Sequence, residues 1–145
     1  MTLDKLHAEW AVDSELDLSQ PDKELRKIPT LHSKWWNIYT NEKQRYLMIK
    51  QDYDVLRLAK FDWLLGRMDE AERERRGWPV QHLRLVRTEI DAYLVGDAEL
   101  AAAKTKLEMQ NTKLDFIEDI IKTIGNRGFS IKTYVEYLKF SQGSM

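Results

Sequence analysis

Between Ser33 and Asp69 the chain alternates aromatic and cationic side chains at helical spacing. Trp36, Tyr39, Lys43, Tyr46, Lys50, Tyr53, Arg57, Lys60, Leu64 and Arg67 follow one another at steps of three and four residues, which places them on one face of a helix. A stripe destined for a core would be built of Leu, Ile and Val. Rings that can stack on bases, set beside cations that can neutralise phosphates, suit a single-stranded nucleic acid. The candidate DNA-binding residues are therefore Lys43, Lys50, Arg57, Lys60 and Arg67, with Tyr46 and Tyr53 as stacking partners. A neighbouring face carries Trp35, Ile38 or Tyr39, Glu42, Tyr46, Ile49, Tyr53, Leu56 and Trp63 in a heptad-like rhythm, so some of these rings pack against other helices. Tyr46 and Tyr53 belong to both faces. The alternative is a helical scaffolding or assembly protein whose aromatic face is core and whose cations form a solvated edge.

No other constellation with chemistry stands out. His7, His32 and His82 are far apart, and none has a second ligand at metal-binding spacing. There is no cysteine, hence no disulfide, thiolate ligand or thiol nucleophile. Neither a nucleophile elbow, a phosphate loop nor a dinucleotide fingerprint is present. The expectation is a protein that is not an enzyme, with no catalytic residue, no metal and no cofactor. No apolar run approaches the roughly 20 residues that span a bilayer, and residues 1–10 lack the order of a signal peptide.

The elements that must position the opening face are helices. With 145 residues, 32% of them charged, and only six Gly and three Pro, the composition fits a single all-α domain with solvated faces. Residues 2–12 read as a short helix capped by Thr2. Residues 13–20 form a connector. Pro21 opens a new helix, and Pro29 either kinks it or divides residues 21–28 from a long helix over 30 to about 67. The charged run 69–79, with Arg73, Arg75 and Arg76, reads as an exposed loop or frayed helix end. Residues 80–87 are ambiguous between strand and helix start, and Thr88 caps a short helix through Val95. The chain thus divides into an N-terminal part, 1–69, carrying the DNA-binding helix, a connector, 70–97, and a C-terminal region, 98–145.

Charge is uneven along this order. Residues 1–32 hold four basic and seven acidic side chains, whereas 33–68 hold seven basic and four acidic. The only long basic segment is therefore the opening one. Its excess is small, so each copy would bind phosphate modestly and several copies would have to act together.

Residues 97–124 form the second long helix. Leu100, Ala103, Leu107, Gln110, Leu114, Ile117, Ile121 and Ile124 make a coiled-coil seam of four heptads. Such a seam can face its own domain or a second copy. Its narrow regularity, with Phe116 and Ile120 as further apolar surface beside it, makes Leu107, Leu114, Ile117, Ile121 and Ile124 the candidate oligomerisation residues. Gly125 and Gly128 are expected to bracket a left-handed helix end. Ser130 then caps a last helix over 131 to about 140.

Two stretches carry a resemblance. The first is Ser33-Lys34-Trp35-x-Asn37, continued by Leu58-Ala59-Lys60-Phe61-Asp62-Trp63 and Gly66-Arg67-x-Asp69. The second is Leu114-Asp115-Phe116 with Asn126-Arg127-Gly128-Phe129-Ser130-Ile131-Lys132. Together they resemble the UvsY family of recombination mediators of T-even-like bacteriophages, from Ser33 to the C-terminus. The resemblance implies a small helical protein that assembles through its C-terminal part into a ring-like homo-oligomer, a hexamer or heptamer. It implies single-stranded DNA, a phage recombinase and a phage single-stranded-DNA-binding protein as partners. The implied task is to load the recombinase on DNA that the binding protein covers. The implied location is the cytoplasm of the infected bacterial host. The family's motif of two basic residues two apart falls on Leu58 and Lys60. Lys60 keeps its charge and Leu58 does not; Arg57 is the neighbouring cation, about 100° away around the helix.

Overall fold

A computed structural model describes residues 1–143, and among these every regular element is a helix. In chain order they are α1 (Leu3–Asp13), α2 (Pro21–Leu64), α3 (Glu70–Arg76), α4 (Arg87–Val95), α5 (Ala98–Gly125) and α6 (Arg127–Ser141). The all-α class and the two long helices agree with the sequence reading. Packing divides the described residues into two compact units, one of Met1–Gln44 with the described residues from Asn111 onward and one of Arg45–Gln110.

In the first unit, Thr2 caps α1 by accepting the Lys5 N–H. Leu6 of α1, Trp35 of α2 and Ile117, Ile120 and Ile124 of α5 form the core, with Trp10, Ile28, Leu31 and Ile121 packed around it. Trp35 is fully buried, so its indole N–H needs a partner; it donates to Asp13 Oδ2 at 2.9 Å. Lys34 adds ion pairs to Asp13 at 2.6 Å and Glu9 at 2.8 Å. Burial alone would lower the Lys34 ammonium's pKa, but these hydrogen bonds and charges outweigh it and raise the value. α2 runs unbroken across Pro29, so of the two alternatives the sequence offered there, a kink or a break, the break does not occur. The missing amide costs one helical bond, and Ile28 and Leu31 on either side are held by the core.

The end of α5 also departs from expectation. Gly125 closes α5 without a positive φ, and α6 begins at Arg127. Ser130 therefore lies inside α6, its hydroxyl donating to the Asn126 carbonyl at 3.2 Å, and it does not cap the helix.

In the second unit, Leu64, Ile90, Leu94 and Leu100 form the core, joined by Tyr53, Leu56, Phe61, Trp63, Leu65 and Leu85. Two glycine-terminated helix ends shape it. Gly66 and Gly77 both stand at φ 75°. After α2, the Arg67 N–H bonds the Asp62 carbonyl and the Gly66 N–H bonds that of Trp63; after α3, Trp78 and Gly77 do the same with Arg73 and Glu74. Each is a Schellman end, which demands the left-handed residue that glycine supplies. The charged run that reads as an exposed loop is thus a short capped helix, with Asp69 accepting the Glu72 N–H. Residues 80–86 are neither helix nor strand.

Candidate nucleic-acid interface

The second unit carries α2 from Arg45 onward. Lys50 and Arg57 are exposed and seven residues apart, hence on one face. Lys50 is paired with Asp54 at 3.0 Å, and the hydrogen bond and charge of that carboxylate hold its ammonium above the ordinary lysine value. Arg57 makes no ion pair among the described residues. Beside it a recess of about 540 Å³ opens between α2, α4 and α5. Tyr53 and Arg57 line it from α2, and Lys104 lines it from α5. The Tyr53 ring is half-buried, its other side packed on the core. A ring, a guanidinium and an ammonium thus meet at one opening, with Asp91 and Glu108 also on its wall.

The other candidates lie elsewhere. Lys60 is 6% exposed. Its ammonium is 3.0 Å from Asp97 and 3.1 Å from Glu99, and 4.1 Å from the centroid of the Trp78 ring. The helix directs it inward, where two carboxylates and an indole face replace its hydration. The structure thus places Lys60 in the packed interior of the unit and not on the open face with Lys50 and Arg57. Arg67 falls after the end of α2 and so leaves the helical face; it is paired with Asp62 at 2.9 Å and lies over Phe61. Lys43 and Tyr46 are half-buried and in contact with neighbouring groups.

Sequence reasoning misses Lys104 and Trp78. Lys104 stands beside the apolar seam of α5, and only the packing of α5 beside α2 brings it to Arg57. Trp78 follows Gly77 in a charged run, yet it is buried, with Lys60 and Arg76 over its ring and its indole N–H on Glu99 at 3.1 Å. The Gly-Trp-Pro spacing after α3 was the available signal, because a helix end followed by a large ring often folds back on its helix.

The five candidate oligomerisation residues differ in exposure. Leu114 is 3% exposed, and Ile117 and Ile124 are fully buried in the first unit's own core. Leu107 and Ile121 are half-buried. On α6, three aromatic side chains face outward: Phe129, Tyr137 and Phe140 are 75%, 63% and 85% exposed.

Fold and site together define a class: an all-helical protein, as far as its residues are described, in which a ring and two cations from two long helices line one open recess. No described helix is long and apolar enough to cross a membrane. The chain belongs to the UvsY family: the family model for the recombination, repair and single-stranded-DNA-binding protein UvsY matches residues 9–144. Crystal structures of the bacteriophage T4 recombination mediator protein UvsY are similar throughout. In one lattice the match has a TM-score of 0.83 at 26% identity, covering 97% of this chain and 99% of that one. A second lattice gives 0.83 at 26% with 98% of each chain, and a third gives 0.80 at 26% with 94% and 98%. No curated protein matches the chain.

Proposed function

We propose that the protein is a recombination mediator. It binds single-stranded DNA through the second unit and helps load a phage recombinase onto DNA covered by a single-strand-binding protein. The observation that carries the reading is the recess in which Tyr53, Arg57 and Lys104 meet, in a chain of the UvsY family. A base stacks on the tyrosine ring while the two cations hold the flanking phosphates. Lys50 extends the track along α2 when phosphate competes with Asp54 for its ammonium.

One copy offers few cations, and acidic residues line the same wall, so affinity per copy is weak. Self-association supplies the rest. The outward aromatics of α6 join copies into a ring-like hexamer or heptamer, and DNA crossing several recesses is held strongly although each recess binds weakly. DNA constrained in this way is a poorer substrate for the competing binding protein and is presented to the recombinase.

The deciding experiment is an anisotropy titration of a labelled oligonucleotide across salt concentrations. Arg57→Ala with Lys104→Ala is expected to weaken binding and to lower the salt slope by about 0.7 for each phosphate that a copy no longer neutralises. Wild-type affinity and slope in that variant would remove the recess from the DNA path. Absence of binding by the wild-type protein would leave a helical scaffold as the function.

A further inference from the structure

In the first unit, a recess of about 510 Å³ opens where the end of α1, the connector and the start of α2 meet the start of α6. Glu24 lines it and is only 2% exposed. Its Oε1 accepts from Lys27 at 3.1 Å, but its Oε2 is buried with no hydrogen-bond partner. A buried carboxylate oxygen without a donor costs free energy, and such groups mark the place of a missing partner. Val12, Leu16 and Leu31 supply apolar wall, while Glu15 and Asp17 stand at the same opening.

Asp13, Arg127 and Asp17 face the recess with contacts of their own. The Asp13 carboxylate takes Lys34 and the Trp35 indole. Arg127 donates to the Asp13 carbonyl at 2.7 Å and lies over the Trp10 ring at 5.7 Å. Hydrogen bonds from Ser19 hold the Asp17 carboxyl below its ordinary range, so it stays anionic. Four carboxylates against Lys27 and Arg127 leave the lining net negative.

We propose that this recess receives a lysine or arginine side chain of a partner protein, with the methylene stem against Val12, Leu16 and Leu31 and the cationic head donating to Glu24 Oε2. The volume and the apolar wall fit a stem and not an ion alone. The charged hydrogen bond completes the carboxylate. The surrounding segment, 1–32, has seven acidic and four basic residues, so a basic partner surface is drawn to it. The site is independent of the DNA reading, which concerns the other unit.

The test uses the full-length protein and three labelled peptides identical except for arginine, lysine or citrulline at one central position. Arginine and lysine peptides are expected to bind saturably, and citrulline, which lacks the charge, about tenfold more weakly. Glu24→Gln should lose about tenfold for the arginine peptide, and the exposed rim variant Glu15→Gln about twofold at an unchanged melting temperature. Equal binding of arginine and citrulline, wild-type binding by both variants, or no saturable binding by any peptide would each overturn the proposal. Free putrescine binding as tightly as the peptides would assign the recess to small amines and overturn the protein partner.

Discussion

Lys60 carries its charge into the second unit and holds three parts of it together. It spans the end of α2, the Trp78 ring after α3 and the start of α5, where Asp97 also accepts the Leu100 N–H at 2.9 Å. Replacing it with methionine keeps the volume but strands Asp97 and Glu99. Because the Glu99 side chain is half exposed, solvent recovers part of the loss, and Lys60→Met is expected to cost about 2 kcal/mol. Chemical denaturation followed by tryptophan emission measures it. The salt slope of DNA binding should stay at the wild-type value in Lys60→Met under conditions where the variant is folded. A slope reduced as in an Arg57 variant would mean that Lys60 swings out to a phosphate.

α5 and α6 differ in where their apolar residues face, and the proposed assembly is assigned to α6 for that reason. The seam residues Leu114, Ile117 and Ile124 face their own unit, so Ile117→Asp buries an unpaired charge among Leu6, Trp35 and Ile120. Its expected cost exceeds about 3 kcal/mol, read as a collapse of the thermal transition. α6 instead buries Ile131 on one side and leaves Phe129, Tyr137 and Phe140 outward. Phe129→Asp with Phe140→Asp should therefore keep the helical circular dichroism signal and the melting transition of a single copy while lowering the mass in sedimentation. A folded variant of unchanged mass would take assembly away from α6.

At the scale of the whole molecule, the proposed function assigns DNA binding to a recess of one unit and assembly to outward aromatics of the other, and so to different residues. That separation makes multivalency measurable. If several weak recesses act together, the α6 variant should bind a long oligonucleotide about a hundredfold more weakly than the wild type. Its affinity for a fragment only long enough for one recess should not change. Parallel losses on both lengths would mean that α6 shapes the recess itself and does not multiply it.

The sequence by itself determined the helical class, because apolar residues at steps of three and four need no partner to declare their period. It determined the α1 cap at Thr2, the start of α2 at Pro21 and the motifs shared with the UvsY family, all of which depend on residues close in the chain. It also singled out the α2 segment that carries Tyr53 and Arg57. Only the tertiary structure decided which way each face points. Lys60 and Arg57 are three residues apart on one helix, yet one is buried among carboxylates and indoles while the other stands in the open. The difference is made by Trp78, Asp97 and Glu99, which lie far along the chain and which no local pattern ties to Lys60. The same holds for the seam of α5: periodicity shows that an apolar stripe must be covered, but what covers it is set by the helices folded against it.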